Sequence, residues 1–229
     1  MVRFSIAIDG TAASGKSTVA KLLAEQLNCS YLDTGKLYRA LALDFLRDDS
    51  LTPDRWESDS DWLRRRLESL SLHLEAPPAG ECRIVLGGED VNDRLADLRV
   101  EKATPYCARI PAVRDYLLGV QRDLAKDNSV VMAGRDIGTV VLPHATLKVF
   151  IEADLRERAR RRLSQHTPDF TQHQLQEAQL ELESRDEKDR EREVAPMVAA
   201  SDALRLDSTS VSPGELVERI TSSLREKVG

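Results

Sequence analysis

Residues 4–20, FSIAIDGTAASGKSTVA, constrain the fold more than any other stretch of the chain. Phe4, Ile6 and Ile8 predict a short buried strand, and the spacing of apolar residues after Ser17 predicts a helix. The turn between them matches G-x-x-x-x-G-K-S, in which glycine lets the backbone wrap closely around a phosphate. The residues predicted to hold a nucleoside triphosphate are Gly10, Thr11, Ala12, Ala13, Ser14, Gly15, Lys16, Ser17 and Thr18.

Different groups of this loop are expected to interact with a bound triphosphate in different ways. The backbone N–H groups and the N-terminus of the following helix direct partial positive charge at the anion. Lys16 is expected to reach the β- and γ-phosphates, and the Ser17 hydroxyl to join the ligands of a Mg²⁺ ion. The other interpretation is an ordinary glycine-containing turn, which the flanking strand and helix disfavour. The loop by itself does not separate a kinase from a switch GTPase or an ATP-driven motor.

The 229-residue chain has a net charge of −6, although 31% of its residues are charged. This balance argues against a general nucleic-acid binder, so its basic clusters are expected to serve a small anionic ligand. Cys29, Cys82 and Cys107 follow no metal-ligand spacing and indicate a reduced compartment. The sequence has no recognisable signal peptide and no apolar run long enough to span a bilayer. We therefore expect a cytoplasmic protein without a membrane partner, and a monomer because no sustained apolar surface stripe is visible.

Strand and helix signals alternate at both ends of the chain. This alternation predicts an α/β fold with a parallel five-stranded sheet flanked by helices. We expect a single domain over 1–229, with its core formed by 1–50 and 127–229. The predicted core strands lie at 4–8, 30–32, 129–133, 147–151 and 203–207.

Residues 51–126 interrupt this alternation and predict an antiparallel β/α insertion. Its first part, 53–70, has the spacing of an amphipathic helix. Alternating residues then predict a hairpin with a third strand, and two further helices follow. The predicted strands of the insertion are 70–76, 82–86 and 89–91, and its last two helices are 99–109 and 113–126. Such a module beside the core sheet is a good candidate for binding the phosphoryl acceptor.

Residues 171–193 predict a long helix with very few apolar positions. Leu175, Leu180 and Leu182 are its apolar markers, so we expect that it is not deeply buried. A mobile lid over 158–192 that closes on ligand fits this composition.

Arginine is in surplus where phosphates are expected. For most of the arginine run over 156–162 the alternative is a solvated helix face. Two phosphate-bearing substrates would need many guanidinium groups, because phosphoryl transfer depends on positioning and charge neutralisation. An acceptor that is itself a phosphate needs no general base, although Asp136 leaves that alternative open. The arginines in question are Arg39, Arg114, Arg135, Arg158, Arg162, Arg185 and Arg192.

Four segments, in the same order and over essentially the whole chain, resemble the bacterial cytidylate kinase family. Two of them, GRDIGTVV at 134–141 and R-D-x-x-D-x-x-R at 185–192, are far more specific than the phosphate-binding loop. The others are the loop at 10–18 and D-T-G at 33–35 with Tyr38 and Arg39. The resemblance implies an enlarged insertion that binds a nucleoside monophosphate and a short arginine-bearing lid. It also implies transfer of the ATP γ-phosphoryl group to CMP or dCMP with Mg²⁺.

The resemblance implies catalytic roles for one lysine and four arginines. Lys16 would contact the transferred phosphoryl group. Arg135 and Arg192 would hold the phosphate of CMP. Arg158 and Arg162 would lean over the ATP phosphates and stabilise the transition state.

The resemblance also implies a binding site for CMP. Arg114 and Asp136 would read the cytosine edge, and Arg185 and Asp189 would hold the pentose. The full set of implied CMP-binding residues is Thr34, Tyr38, Arg39, Arg114, Arg135, Asp136, Arg185, Asp189 and Arg192.

The chain departs from the family pattern near the expected base site. Pro105 stands where the family has a serine that contacts the base, and it has neither a hydroxyl nor an N–H group. Thr104 could supply the missing hydrogen bond. This departure concerns base specificity and not phosphoryl transfer. The two alternatives to a cytidylate kinase are a kinase for UMP or another small acceptor, and an ATP-binding regulatory protein that is not a kinase.

Overall fold

The structure is a computed structural model that describes residues 3–165 and 169–228. Five of the six strands in its parallel sheet are the predicted core strands, which are confirmed. The sixth is only two residues long and pairs with Ser30 and Tyr31 at the sheet edge, and it lies between the predicted strands 70–76 and 82–86, where no strand was predicted. In spatial order the strands are Gly80–Glu81 (β4), Ser30–Asp33 (β2), Val130–Ala133 (β7), Ser5–Gly10 (β1), Leu147–Glu152 (β8) and Leu204–Asp207 (β9).

Both faces of this sheet are covered, as expected for a parallel sheet whose central strands are mostly apolar and buried. Ile6 and Ile8 of β1 belong to a core shared with two helices, Lys16–Leu27 (α1) and Pro213–Val228 (α8). Ala7 points to the opposite core, which includes residues of Thr34–Phe45 (α2). The predicted core helices are thus present.

The parallel register brings three loops to one edge of the sheet. Ile8 of β1 is paired with Ala133 of β7, and Asp33 of β2 is paired with the same Ala133. The chain leaves all three strands at this carboxyl edge, which is where ligands bind in open α/β sheets. The phosphate-binding loop and the residues after β2 and β7 therefore converge.

The insertion contains the predicted hairpin and third strand. Leu72–Glu75 (β3) pairs antiparallel with Arg83–Leu86 (β5), which pairs with Glu89–Asp90 (β6). The two predicted helices that follow are also confirmed, as Leu98–Arg109 (α4) and Pro111–Asp127 (α5).

The prediction of one helix over 53–70 is wrong. A short 3₁₀ turn at Pro53–Arg55 is separated from the helix Ser60–Ser69 (α3). Asp59 accepts a hydrogen bond from the Trp62 N–H at 2.9 Å and so begins α3 as a new helix. Trp56 is fully buried against Phe45, with ring centroids 5.2 Å apart, and this contact stabilises the break.

The last two helices before β9 pack more tightly than their composition suggested. Leu155–Ser164 (α6) and Gln172–Arg190 (α7) share a small apolar core. That core consists of Ala12, Ala159, Leu175, Ala178 and Leu182, whereas Leu180 is exposed. The expected weak burial of α7 is therefore wrong for one of its faces. Residues 166–168 of the predicted lid lie outside the described residues.

Within the described ranges, no helix is both long enough and apolar enough to cross a membrane.

Candidate active site

The loop of residues 10–17, called the P-loop below, has the backbone that a phosphate cradle requires. A Cβ at Gly10 would lie 2.0 Å from the carbonyl oxygen of Ile151, so only glycine lets β1 pass β8 this closely. Gly15 has a φ of 84° and directs the chain into α1. The first-turn N–H groups of α1 thus point at the loop, which is where an anion binds best.

Lys16 spans the P-loop from its first helical position. Its Nζ donates to the carbonyl oxygen of Thr11 at 2.9 Å, and the side chain is buried. Burial, followed by repulsion from Arg135, holds the pKa of Lys16 well below its ordinary value. A positive charge in these surroundings is poorly compensated, so an anion between Lys16 and Arg135 would be strongly favoured.

Two cavities meet at the P-loop. The first, of about 460 Å³, is lined by Gly15, Thr18 and residues of α6 and α8, and we call it the P-loop cavity. The second, of about 290 Å³, lies between the P-loop, the insertion and α7. Ala13, Lys16 and Ser17 line both. A group bound in one cavity can therefore reach a group bound in the other directly beside Lys16.

The second cavity, called the arginine cleft below, gathers cations from distant parts of the chain. They come from α2, α5, the loop after β7, and the segment from α6 to just beyond α7. The arginines that line it are Arg39, Arg114, Arg135, Arg162, Arg185 and Arg192, and Thr34, Tyr38, Asp136 and Asp189 line it with them. The structure thus brings every implied CMP-binding residue to one cleft.

Asp189 orients two of these arginines. Its Oδ2 accepts from Arg135 Nε at 2.9 Å, and its Oδ1 accepts from Arg192. Asp189 itself is buried. One carboxylate thus holds two guanidinium groups in place while leaving several of their N–H donors for a ligand.

Arg114 and Asp136 form a second buried pair at the side of the cleft. Arg114 NH2 donates to Asp136 Oδ2 at 2.5 Å, and its guanidinium lies 5.7 Å from the ring centroid of Tyr38. Burial outweighs the attraction of Arg114 and raises the pKa of Asp136. The free lone pairs of Asp136 can accept a hydrogen bond from an amine in the cleft.

Arg185 faces the cleft from α7. Desolvation, and then repulsion from Arg135, lower the pKa of Arg185, although its side chain remains partly open to solvent at the cleft. An anion bound beside it would be stabilised. On the opposite wall, Arg39 NH1 donates to the Leu95 carbonyl oxygen at 3.4 Å. Arg162 NH2 donates to Glu101 Oε1 at 2.6 Å and links α6 to α4 of the insertion. These positions suit a ligand that carries phosphate groups.

Arg158 lies outside the arginine cleft. Its guanidinium is buried between the P-loop and α7, where NH1 donates to the Ala12 carbonyl oxygen at 3.0 Å and to Asp186 Oδ2 at 2.5 Å. Unlike Arg162, Arg158 does not line either cavity. In this conformation Arg158 supports the P-loop, and its implied contact with ATP phosphates stays a prediction.

The departure at Pro105 has a clear structural consequence. Pro105 is exposed on α4, whereas Thr104 and Ala108 line the arginine cleft. The Thr104 hydroxyl donates to the Val100 carbonyl oxygen at 2.7 Å, so only its lone pairs are free. Thr104 can therefore accept a hydrogen bond from a group in the cleft but cannot donate one.

Two acidic residues, Asp33 in the cleft and Asp9 directly before the P-loop, were not predicted to have a role here. Asp33 accepts from the Gly35 N–H and caps α2, and its Oδ2 also accepts from the Ser17 hydroxyl at 3.1 Å. Asp9 of β1 accepts from the N–H groups of Ile137 and Gly138 at 2.8 and 2.7 Å. Burial raises the pKa of Asp9 to about 6. A carboxylate at the end of an otherwise apolar strand was the one available signal.

Comparison with known proteins agrees with this geometry. A family model described as cytidylate kinase matches residues 6–226. A cytidylate kinase of Geobacillus kaustophilus (strain HTA426) is 42% identical, with 99% of each chain covered. Another of Thermotoga maritima is 39% identical, with 98% of each chain covered.

A solved structure shares the fold at much lower sequence similarity. An uncharacterized protein from Eubacterium ventriosum ATCC 27560 is 15% identical, covers 98% of this chain and 99% of its own, and has a TM-score of 0.54. This likeness concerns the fold alone. The match of the family model over nearly the whole chain, together with relatives of about 40% identity, establishes that this protein belongs to the cytidylate kinase family.

Proposed function

We propose that the protein transfers the γ-phosphoryl group of ATP to CMP or dCMP, giving ADP and CDP or dCDP. The observation that carries this proposal is the pair of cavities that share Lys16 and Ser17. ATP would occupy the P-loop cavity with its phosphates on the loop, and the monophosphate would lie in the arginine cleft. The γ-phosphate of ATP and the phosphate of the acceptor would then lie next to each other beside Lys16.

Catalysis in this proposal is positioning and charge neutralisation. Arg135 and Arg192, held by Asp189, would bind the acceptor phosphate. Lys16 and Arg162 would stabilise the charge that spreads over the transferred group. The acceptor oxygen belongs to a phosphate that is already ionised near neutral pH, so no side chain needs to remove a proton from it.

Cytosine recognition would fall to the buried end of the cleft. Asp136 and Thr104 can both accept from the exocyclic amine, and Arg114 can donate to ring acceptors. Uracil carries a carbonyl where cytosine has this amine. Its oxygen would lie against the acceptor oxygens of Asp136 and Thr104, and no hydrogen bond could form between them. Arg185 and Asp189 would contact the pentose.

Mg²⁺ is the cofactor we propose, bound together with ATP. Among the described residues there is no cluster of acidic, histidine or cysteine side chains that could hold a metal alone. The Ser17 hydroxyl and the Asp33 carboxylate, 3.1 Å apart, are hard oxygen donors that fit Mg²⁺ when phosphates and water complete its shell. When bound, the ion would neutralise phosphate charge. Ser17 and Asp33 would orient it from the protein side.

The domain organisation follows the same proposal. The core would comprise 1–50 and 127–229, the monophosphate-binding insertion 51–126, and the lid 158–192. Its support is that α4 and α5 of the insertion form one wall of the cleft while α7 forms another. We also propose a cytoplasmic monomer that acts on free nucleotides and not on nucleic acids.

A panel of acceptors tests the function. Purified protein with MgATP would be given CMP, dCMP, UMP, AMP or shikimate in turn, with ADP formation as the readout. We expect CMP and dCMP to lead. UMP should be slower by a factor that can reach roughly 10⁴, because a site built for the amine leaves buried groups unpaired.

Two results would contradict the proposal. Equal kcat/KM for UMP and CMP would remove the base-reading role of Asp136 and Thr104. ATP hydrolysis at the same rate with and without every acceptor would favour a nucleotide-binding regulator over a kinase.

A further inference from the structure

The P-loop is joined to α6 and α7 through the backbone of Ala12. The Ala12 N–H donates to Asp186 Oδ1 at 2.9 Å, although the two residues are 174 positions apart in sequence. The Ala12 carbonyl oxygen accepts from Arg158 NH1 at 3.0 Å. The backbone N–H and the carbonyl oxygen of Ala12, which belong to two successive peptide groups of the P-loop, are therefore both bonded to side chains of α6 and α7. An amide that could have faced a phosphate instead faces a carboxylate.

The two side chains also bind each other. Arg158 NH1 lies 2.5 Å from Asp186 Oδ2, and Arg158 Nε donates to the Ala153 carbonyl oxygen at 3.0 Å. Asp186 is 1% exposed and Arg158 is 6% exposed. Because both charges are buried, losing either partner would leave an unpaired charge in the interior, which proteins avoid. The contact is therefore a fixed part of this conformation.

An apolar contact supports the same connection. The side chain of Ala12 packs in the small core formed with Ala159, Leu175 and Leu182. The methyl group, the backbone N–H and the carbonyl oxygen of Ala12 thus all contact the α6–α7 pair. Ala12 is held by these two helices through every group that it carries.

The position of Asp186 within α7 gives this contact a consequence for the arginine cleft. Arg185 precedes it, and Asp189, which holds Arg135 and Arg192, follows one turn later. Asp186 points to the P-loop while Arg185 and Asp189 line the cleft. A shift at Asp186 would therefore move the acceptor-binding side chains relative to the loop that carries the transferred phosphate.

We infer that Asp186, braced by Arg158, is a positioning residue that couples α7 to the P-loop and fixes the distance between the two phosphate sites. Neither residue needs to touch substrate in this role. The inference rests on the proposed function for its effect on turnover, whereas the coupling itself concerns only the contact with Ala12.

The test compares Asp186→Asn with Glu187→Gln, which removes an exposed carboxylate from the next position of α7. Asparagine keeps the shape of Asp186 but loses the charge that holds both Arg158 and the Ala12 N–H. Amide exchange followed by NMR reports the contact directly. We expect the Ala12 amide of Asp186→Asn to exchange about 10–100-fold faster, as the loss of a charge-assisted hydrogen bond implies, with β1 and β8 amides unchanged.

Steady-state kinetics provides the second readout. Misplacement of the two sites should lower kcat about tenfold or more while the KM values for ATP and CMP change much less. Glu187→Gln should leave both amide exchange and kcat at the unmodified level. If Asp186→Asn does not fold, Arg158→Lys is the second variant. It keeps the positive charge but cannot hydrogen-bond to Asp186 and to the Ala12 carbonyl oxygen at the same time. We again expect faster exchange of the Ala12 amide and a lower kcat, both smaller in size than for Asp186→Asn.

The outcomes separate this inference from the proposed function. Unchanged exchange at Ala12 would overturn the coupling. Faster exchange at all core amides with normal kcat per folded molecule would also overturn it, since the pair would then only stabilise the fold. An unmodified protein inactive toward every acceptor would defeat the proposed function, while the exchange at Ala12 would still decide the coupling.

Discussion

Replacing Lys16 with methionine should lower kcat about 10²–10³-fold, the size seen when one preorganised donor to a developing negative charge is lost. Methionine keeps the length and much of the volume of the side chain. The pKa of Lys16 is held below its ordinary value by burial and by Arg135, so its charge opposes folding near neutral pH. Removing that charge should leave the melting temperature unchanged or slightly higher. Steady-state kinetics and thermal denaturation measure the two effects.

Lys21→Met is the matched control, because Lys21 lies on the same helix but is exposed. It should leave kcat and the melting temperature near their unmodified values. Normal turnover in Lys16→Met, with a normal melting curve, would remove Lys16 from the mechanism.

The second large effect is expected at Arg192. Truncation to alanine removes a guanidinium that Asp189 holds beside the cleft, and we expect kcat to fall roughly 10²-fold. Asp189 keeps its hydrogen bond from Arg135 in this variant, so no buried carboxylate is left unpaired and the fold should persist. Initial rates with saturating ATP and CMP measure the loss.

Arg190→Ala provides its control. Arg190 is exposed at the C-terminal end of α7, two positions earlier, and does not line the cleft. Its loss should change kcat by less than about twofold, as is usual for exposed surface substitutions. Equal losses in the two variants would mean that charge near the cleft matters only through general attraction of anions.

The parts of the site that follow strands were predictable from sequence. A glycine-containing loop after an apolar strand, and short polar motifs after two others, must meet at the carboxyl edge of a parallel sheet. Gly10, Asp33 and Arg135 do so because β1, β2 and β7 are neighbours in register.

Contacts across long sequence separations were not predictable. Nothing in the local sequence pairs Asp186 with Ala12, or Glu101 with Arg162, because these contacts arise only when α6 and α7 pack on the P-loop and the insertion. Local patterns describe periodicity, whereas such pairs depend on how elements dock.

The burial of α7 was also not predictable from the spacing of its large apolar residues. Leu180, one of the predicted apolar markers of α7, is exposed. The buried face has Leu175, Ala178 and Leu182, at i, i+3 and i+7, and alanine supplies the middle position. Alanine is only weakly apolar, so its contribution to the buried face of α7 is hard to recognise in the sequence. More of α7 is therefore buried than the sequence predicted.

The central claim is that two anion-binding sites face each other across Lys16, and a joined ligand tests it most directly. Adenosine and cytidine linked through their 5′ positions by five phosphates would place one nucleoside in each cavity. We predict that calorimetry will show binding of one molecule per chain, at least about 10²-fold tighter than ATP or CMP alone. Binding no tighter than that of ATP, with CMP still able to bind beside it, would contradict the account.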